Sequence, residues 1–372
     1  MLKKISVIIV LLICIAIATL LLIKTPAQRP QSLSLSPTPT SFSLSPTVPV
    51  EKTSTLTKSI FIPYWATPMK EEDLNPYDEL LYFGIEVSPQ GVLQNETGYK
   101  NLSAFSDLTL PSATKLLVVR MIDTNTNNQI LHNKQSWETI ANDVVRLASE
   151  KGFQGVVLDL EMSGITLIDV SGDINQFVQN MSTTVKGRKL TFSMTMYGDV
   201  FYRKRPYDVR TLASYSDKMY IMAYDFHKSL GEPGPNFQYD KGDRYPYDFK
   251  TMVTDFSQVV PSDKLVVIFG MYGYDWSVDE KKRPIRTAKS LSLSDIKKEF
   301  VNECKWQDCI LTRDSLSRET EVNYVTSEIK DNFATIYYHV VWFEDEESVR
   351  IKTEYLKEHR IEQIAYWTYG YF

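Results

Sequence analysis

The chain has 372 residues, of which 43% are hydrophobic, 12% aromatic and 23% charged. These proportions are typical of a globular protein and exclude wholesale disorder, while 15 glycines and three cysteines exclude a collagen-like chain and a disulfide-dense scaffold. The net charge is −5, but the first 57 residues are basic, and the other 315 carry 36 basic and 45 acidic side chains. This acidic body argues against a nucleic-acid-binding protein.

A long apolar segment at the start of the chain predicts a membrane anchor. Lys3 and Lys4 precede Ile5–Ile23, which contains only two polar residues. As a helix it would be about 28 Å long, and no small-residue cleavage motif follows it. We therefore predict a signal anchor over residues 1–24, in a single-pass protein of the cell membrane whose remaining chain is extracytoplasmic. The alternative is a signal peptide that is cleaved to give a secreted protein.

The next segment, residues 25–57, has the composition of a tether. Twenty of its 33 residues are Ser, Thr or Pro, and none is Gly. Such a segment cannot build a core and favours extended, polyproline-like conformations. We predict a disordered linker that holds the following domain away from the membrane.

Residues 58–372 alternate between apolar runs and helical patterns. Eight runs rich in β-branched and aromatic residues predict strands, at 59–65, 79–87, 115–121, 155–161, 189–196, 217–223, 264–271 and 362–368. Apolar residues at helical spacing predict five helices between them, at Trp137–Lys151, Ile174–Val185, Val209–Tyr215, Phe249–Val260 and Glu347–His359. Eight buried strands that alternate with helices predict an α/β fold, a (β/α)8 TIM barrel.

The connection between the seventh and eighth runs is too long for a simple loop. About seventy residues, over 276–343, predict a small α+β insertion with a helix at Ser294–Glu303 and an extra strand at Ala334–Trp342. Cys304 and Cys309 are the only cysteines outside the predicted anchor. In an oxidising compartment they are expected to form a disulfide, since two cysteines do not complete a tetrahedral metal site.

Two acidic residues at the end of the fourth run are the first candidates for chemistry. In a TIM barrel the active site lies at the C-terminal ends of the strands. Side chains alternate along a strand, so Val157, Asp159 and Glu161 share one face, and the two carboxyl groups point into the barrel mouth. Two neighbouring buried carboxylates repel each other, which raises at least one pKa and favours a general acid near neutral pH. A strand that simply ends in solvent is the alternative.

The four histidines of the chain are scattered and lack the spacing of metal ligands. We therefore expect no zinc site, and we expect the barrel domain to be monomeric.

Four motifs in order resemble glycoside hydrolase family 18, the chitinase-like family. Phe153–Glu161 (FQGVVLDLE) resembles its fourth-strand signature, and Met222–His227 (MAYDFH) resembles its sixth-strand motif. Lys264–Tyr272 and Ile364–Trp367 resemble its seventh and eighth strands. Val341–Ser348 (VWFEDEES) resembles the branch that contains bacterial spore-germination and peptidoglycan hydrolases. The resemblance covers most of residues 58–372, including the insertion.

The resemblance implies a retaining, substrate-assisted hydrolysis of glycans that carry a 2-acetamido group, such as peptidoglycan or chitin, and this chemistry needs no metal or cofactor. It implies that Glu161 is the acid, that Asp159 holds the substrate's N-acetyl group, and that Tyr224 donates a hydrogen bond to its carbonyl. Further positions that match the family or end a strand are predicted to bind the sugar: Asp225, Trp367, Met222, Tyr64, Trp65, Met194 and Tyr197. The same face of the sixth strand also carries Tyr220, which we predict to be core.

This chain also departs from the family pattern. Gln154 and Val157 stand where the fourth-strand signature has its first two aspartates, and Val119–Asp123 replaces the family's glycine-rich third strand. Asp159 is then expected to lose a like charge and some hydrogen-bond support, which predicts a reduced rate or a shifted pH optimum. A catalytically weak or inactive carbohydrate-binding protein therefore stands as the alternative to an active glycosidase.

Overall fold

The structure of the protein is a computed structural model that describes residues 56–66, 68–162, 169–330 and 333–372. The predicted anchor and residues 25–55 of the predicted linker lie outside these ranges. The end of the predicted linker does not: Thr57 already begins the first strand. No helix within the described ranges is both long and apolar enough to cross a bilayer.

Strands and helices alternate along the described residues. The strands are β1 Thr57–Pro63, β2 Glu79–Ser88, β3 Gly91–Val92, β4 Thr114–Met121, β5 Gly155–Leu160, β6 Thr191–Tyr197, β7 Met219–Ala223, β8 Leu265–Gly270, β9 Tyr272–Val278, β10 Lys289–Ser292, β11 Gln307–Arg313, β12 Thr320–Lys330, β13 Phe333–Phe343 and β14 Gln363–Trp367. The helices are α1 Glu71–Leu74, α2 Thr97–Ser106, α3 Thr124–Leu131, α4 Lys134–Glu150, α5 Ser171–Gly187, α6 Val209–Tyr215, α7 Phe249–Ser257, α8 Leu293–Ile296 and α9 Glu346–Glu358.

Eight parallel strands close into a barrel. Their order is β1-β14-β8-β7-β6-β5-β4-β2, and pairing between β1 and β2 closes the ring. The predicted eight-stranded barrel is therefore confirmed, and the five predicted helices coincide with α4, α5, α6, α7 and α9. The helices cover the outside because each has one apolar face. In α4 that face is formed by Trp137, Ile140, Val144 and Leu147, all of which are buried.

The lower interior of the barrel contains a buried polar cluster. Glu79 accepts hydrogen bonds from the hydroxyl groups of Ser59 and Tyr220, both at 2.8 Å, and from Lys218 Nζ at 2.6 Å. Because every one of these groups has a partner, the carboxylate is satisfied inside the barrel. Tyr220 is therefore a core residue, as predicted.

The insertion is larger than the sequence indicates. It is a five-stranded antiparallel sheet in the order β10-β9-β13-β12-β11, and it begins at Tyr272 instead of near 276. Only β13 matches the predicted extra strand. The predicted helix is present as α8, which continues into a π-helical turn over Lys297–Val301. A disulfide bond joins Cys304, which follows that turn, to Cys309 in β11.

Candidate active site

Asp159 and Glu161 lie at the C-terminal ends of the barrel strands, beside a cleft of about 540 Å³. The alternation of β5 explains their placement: Val157 and Asp159 point into the barrel, and Glu161 follows the strand on the same face. The backbone N–H of Glu161 donates to the carbonyl of Met121 at 2.8 Å, which extends the pairing of β4 and β5 by one residue. Both carboxyl groups line the cleft.

The Asp159 carboxyl is buried, with 3% of its surface exposed. Burial raises the pKa of Asp159 to about 7, and the neighbouring charge of Glu161 adds to this rise. Two groups act in the opposite direction on the same pKa. The Thr195 hydroxyl donates a hydrogen bond to Asp159 Oδ1 at 2.5 Å, and the positive charge of Arg120 lies nearby. Asp159 thus has a hydrogen-bond donor in Thr195, which the sequence did not predict when it showed Val157 in place of an aspartate.

Glu161 has its own donor on the same neighbouring strand. Tyr197, two residues after Thr195 on β6, donates its hydroxyl hydrogen to Glu161 Oε2 at 2.6 Å. Burial and then the charge of Glu161 raise the pKa of Tyr197, so its hydroxyl keeps its proton. The guanidinium of Arg205 lies 3.6 Å from the centroid of the Tyr197 ring and pairs with Asp199 at 2.8 Å. This contact fixes the tyrosine ring beneath the acid.

Arg120, the penultimate residue of β4, lies directly opposite Asp159 in the strand register, and its side chain lines the cleft. Its guanidinium lies about equally far from the ring centroids of Tyr64 and Phe83, at 5.1 and 5.0 Å, and donates to Glu86 at 2.6 Å. It therefore places a fixed positive charge beside the carboxyl pair. The sequence showed that residues 119–123 depart from the family pattern, but it did not predict Arg120 as a site residue.

Aromatic rings form the floor and one side of the cleft. Trp367 contacts Phe83 edge-on, with the ring centroids 4.8 Å apart, and lies near Tyr224 at 6.5 Å. Trp65 is 48% exposed at the rim, and Met222 lines the interior beneath it. Burial raises the pKa of Tyr224, with Asp159 and Glu161 adding to the effect, so this hydroxyl stays protonated and can donate to a ligand.

Asp225 also lines the cleft, directly after β7. Its φ of 59° lies in the left-handed region that side chains rarely adopt, so the surrounding contacts must hold it there. The hydroxyl groups of Tyr272 and Tyr274 both donate to its Oδ1, the latter at 2.8 Å. These tyrosines belong to β9 of the insertion, which the sequence placed a few residues too late, and they were therefore missed.

Two predicted sugar contacts do not lie on the cleft. Met194 is fully buried. It lies three positions before Tyr197, and this odd spacing puts the two side chains on opposite faces of β6. It therefore packs outward, away from the site. The ring of Tyr64 packs against Trp65, with the centroids 4.9 Å apart, and against Arg120, so it supports the cleft wall from behind. In the part of the chain that the structure describes, no three His, Cys, Asp or Glu side chains are grouped as metal ligands.

The family to which the protein belongs can be read from its similarity to a known family. The profile of the glycosyl hydrolases family 18 matches residues 60–371, which is nearly all of the described chain. The chain belongs to glycoside hydrolase family 18. The family resemblance that the motifs indicated is thereby confirmed.

Three curated proteins that are similar to this chain come from species of Bacillus. YdhD of Bacillus subtilis, whose name describes a sporulation-specific glycosylase, is 24% identical over 303 residues, which cover 79% of this chain and 66% of YdhD. The curated relatives that the family 18 chain matches are all longer than the match, which spans 65–66% of their length.

Solved structures show the same fold at low identity. The family 18 N-acetylglucosaminidase from Paenibacillus barengoltzii has a TM-score of 0.70 at 17% identity, with 86% of this chain and 96% of that chain covered. The spore cortex-lytic enzyme SleL of Bacillus cereus has a TM-score of 0.65 at 20% identity, with 86% and 72% covered. These likenesses establish the barrel and its insertion as the family 18 fold.

Proposed function

We propose that this family 18 glycosidase cleaves β-linked N-acetylglucosamine units of peptidoglycan by a retaining, substrate-assisted mechanism. The observation that carries the proposal is the carboxyl pair itself. Asp159 and Glu161 line one aromatic cleft, and each accepts a hydrogen bond from a different residue of β6. The Asp159 side chain is buried, whereas that of Glu161 is partly exposed. Carboxyl groups in such different environments can take different roles, one as a carboxylate and the other as an acid.

Glu161 acts as the general acid. It protonates the glycosidic oxygen while the carbonyl oxygen of the substrate's own 2-acetamido group attacks the anomeric carbon and the C–O bond breaks. Asp159, as a carboxylate, holds the amide N–H and stabilises the positive charge that develops on it. Tyr224 donates to the acetamido carbonyl. Glu161 then takes a proton from water, which attacks the anomeric carbon as its bond to the acetamido oxygen breaks; this second displacement restores the original configuration and regenerates the acetamido group.

The aromatic floor provides the binding surface for the sugar. Pyranose rings present apolar C–H faces, and Trp367 with Trp65 offers matching apolar surface in the cleft. We place peptidoglycan before chitin because relatives include a cortical fragment-lytic enzyme of Bacillus anthracis and the spore cortex-lytic enzyme SleL. The predicted anchor and linker support work outside the cytoplasm, at the cell envelope, by a membrane-attached enzyme.

Hydrolysis of purified peptidoglycan and of chitin oligosaccharides by the full-length protein tests this proposal. We expect Glu161→Gln to lower kcat at least about 100-fold, because the amide cannot donate the acid's proton. Mass spectrometry of the products identifies the new reducing end and so the bond that is cleaved. Glu138→Gln, an exposed glutamate on α4, is the matched control and should leave the rate unchanged. Equal rates for Glu161→Gln and the wild type would refute the assignment of the acid.

A further inference from the structure

The inserted sheet is bonded to a barrel loop that borders the cleft. Glu319, just before β12, is fully buried although it carries an ionisable side chain. Its carboxylate accepts the backbone N–H groups of Asn236 at 2.6 Å and Phe237 at 2.8 Å. Both residues belong to the loop between β7 and α7, so one side chain of the insertion holds a segment of the barrel.

A buried lysine makes this arrangement possible. Lys352, on α9, contacts Glu319 at 2.9 Å and Glu344 at 2.6 Å, and all three side chains are 0% exposed. An unpaired carboxylate inside a protein is strongly disfavoured, and the ammonium compensates that charge. Burial lowers the pKa of Lys352, but the two glutamates raise it above its usual value, so the ammonium is retained. The insertion, the barrel loop and the last helix therefore meet at one point.

The same loop holds the backbone of Asp225. The Asn236 side chain accepts the N–H of Asp225 at 2.8 Å through Oδ1, and its Nδ2 donates to the carbonyl of Gly270 at 3.1 Å. A continuous path of hydrogen bonds thus runs from Lys352 through Glu319 and Asn236 to Asp225. The left-handed backbone of Asp225 needs such support, because it is disfavoured in isolation.

We propose that Glu319, held by Lys352, is a positioning residue that directs the Asp225 carboxylate into the cleft through Asn236. The insertion then helps to position a substrate-binding side chain, in addition to bordering the cleft. Its first strand contributes Tyr272 and Tyr274, which hold the Asp225 carboxylate, and Glu319 holds the Asp225 backbone. The inference rests on the proposed function, in which Asp225 binds the sugar.

A double-mutant cycle in the full-length protein tests this inference, with kcat and KM measured on chitotetraose and on soluble peptidoglycan strands. Glu319→Gln replaces one of the two acceptor oxygens by an amide NH2 group, which cannot accept a hydrogen bond from the N–H groups of the loop. We expect it to lower kcat/KM roughly 10- to 100-fold, with Asp225→Asn producing a loss of similar size. The double variant should lose little beyond either single variant, because both changes disable the same group. Fully additive losses, or an unimpaired Glu319→Gln variant, would overturn the inference.

The control breaks an ion pair of the insertion that takes no part in the path from Lys352 to Asp225. Lys282 pairs with Glu321 at 2.5 Å and is 57% exposed, so Lys282→Ala should retain the wild-type rate. If Glu319→Gln does not fold, Asn236→Ala interrupts the path at its other end, and the same coupling to Asp225→Asn is expected. An Asp225→Asn variant as active as the wild type would refute the role of Asp225 and with it the positioning. A damaged Asp225→Asn variant without coupling would refute the positioning alone.

Discussion

Thr195 and Tyr197 give the two carboxyl groups separate partners on one strand. Parallel pairing of β5 with β6 sets Thr195 beside Asp159 and Tyr197 beside Glu161, each within hydrogen-bond distance. Without an aspartate at position 157, Thr195 is the donor that stabilises the charged form of Asp159. The departure from the family pattern is therefore balanced by a neighbouring side chain.

This contact predicts a pH effect. Burial raises the pKa of Asp159 to about 7, so the carboxylate that the proposed mechanism needs forms as the pH rises through this value. Thr195→Val removes a hydrogen bond that favours the charged form. The acid limb of the kcat/KM profile should therefore move to higher pH by about one unit. The measurement is a pH–rate profile of both proteins.

Thr191→Val is the matched control, because Thr191 lies at the exposed N-terminal end of the same strand. Its profile should overlay that of the wild type. A Thr195→Val profile with the wild-type acid limb would show that this hydroxyl does not control the titration of the pair.

Alternation along strands allowed the candidate catalytic residues to be predicted from the sequence. Asp159 and Glu161 were located because they are two residues apart at the end of an apolar run. The same rule would have selected Thr195, which shares the inward face with Tyr197, and would have removed Met194, which does not. Arg120 had no comparable signal, since a single arginine at a strand end reveals nothing about the carboxylate opposite it.

At the scale of elements, the sequence correctly predicted the strands that are buried on both faces. Barrel strands are covered on both faces, so their sequences are continuous apolar runs that can be counted. The strands of the insertion are different: β11 is almost entirely exposed, and β9 follows β8 after a single residue. The sequence therefore does not show where either of these two strands begins or ends. The contact between Glu319 and Asn236 joins residues 83 positions apart, and no local pattern indicates it.

The junction between β13 and α9 predicts a pH-dependent stability. Burial raises the pKa of Glu344 from 4.5 to about 8; the charge of Lys352 opposes this rise and that of Glu319 adds to it. A carboxyl whose pKa is higher in the folded state stabilises the fold at low pH and loses that contribution as the pH rises through about 8. The free energy of unfolding should therefore decline between about pH 5 and about pH 8, by at most roughly 1.4 kcal/mol per pH unit.

Urea unfolding of Glu344→Gln measures this contribution. The amide mimics the protonated carboxyl and cannot ionise, so the decline should be smaller in the variant. Glu346→Gln is the control, since Glu346 is 59% exposed only two residues away. Identical pH slopes for Glu344→Gln and the wild type would contradict the assignment.

At the scale of the whole molecule, the N-terminal segment and the barrel are expected to have separable tasks. We predict that removal of residues 1–24 shifts the protein from the membrane fraction to the soluble fraction. The value of kcat/KM on soluble oligosaccharides should not change, because the described residues that line the cleft all lie beyond Thr57. Fractionation followed by an activity assay measures both. Full-length protein in the soluble fraction at a reduced mass would favour the cleaved signal peptide instead.

The direction of the barrel strands has a practical consequence for handling the enzyme. Thr57 begins β1, and the N-terminal ends of parallel barrel strands lie on the face opposite the cleft. Tyr371, by contrast, lines the cleft itself, one residue before the end of the chain. Coupling to a bead, a sensor surface or a fusion partner through the N-terminal side therefore leaves the mouth open. A tag added after Phe372 would begin one residue beyond Tyr371 and so lie close to the cleft wall.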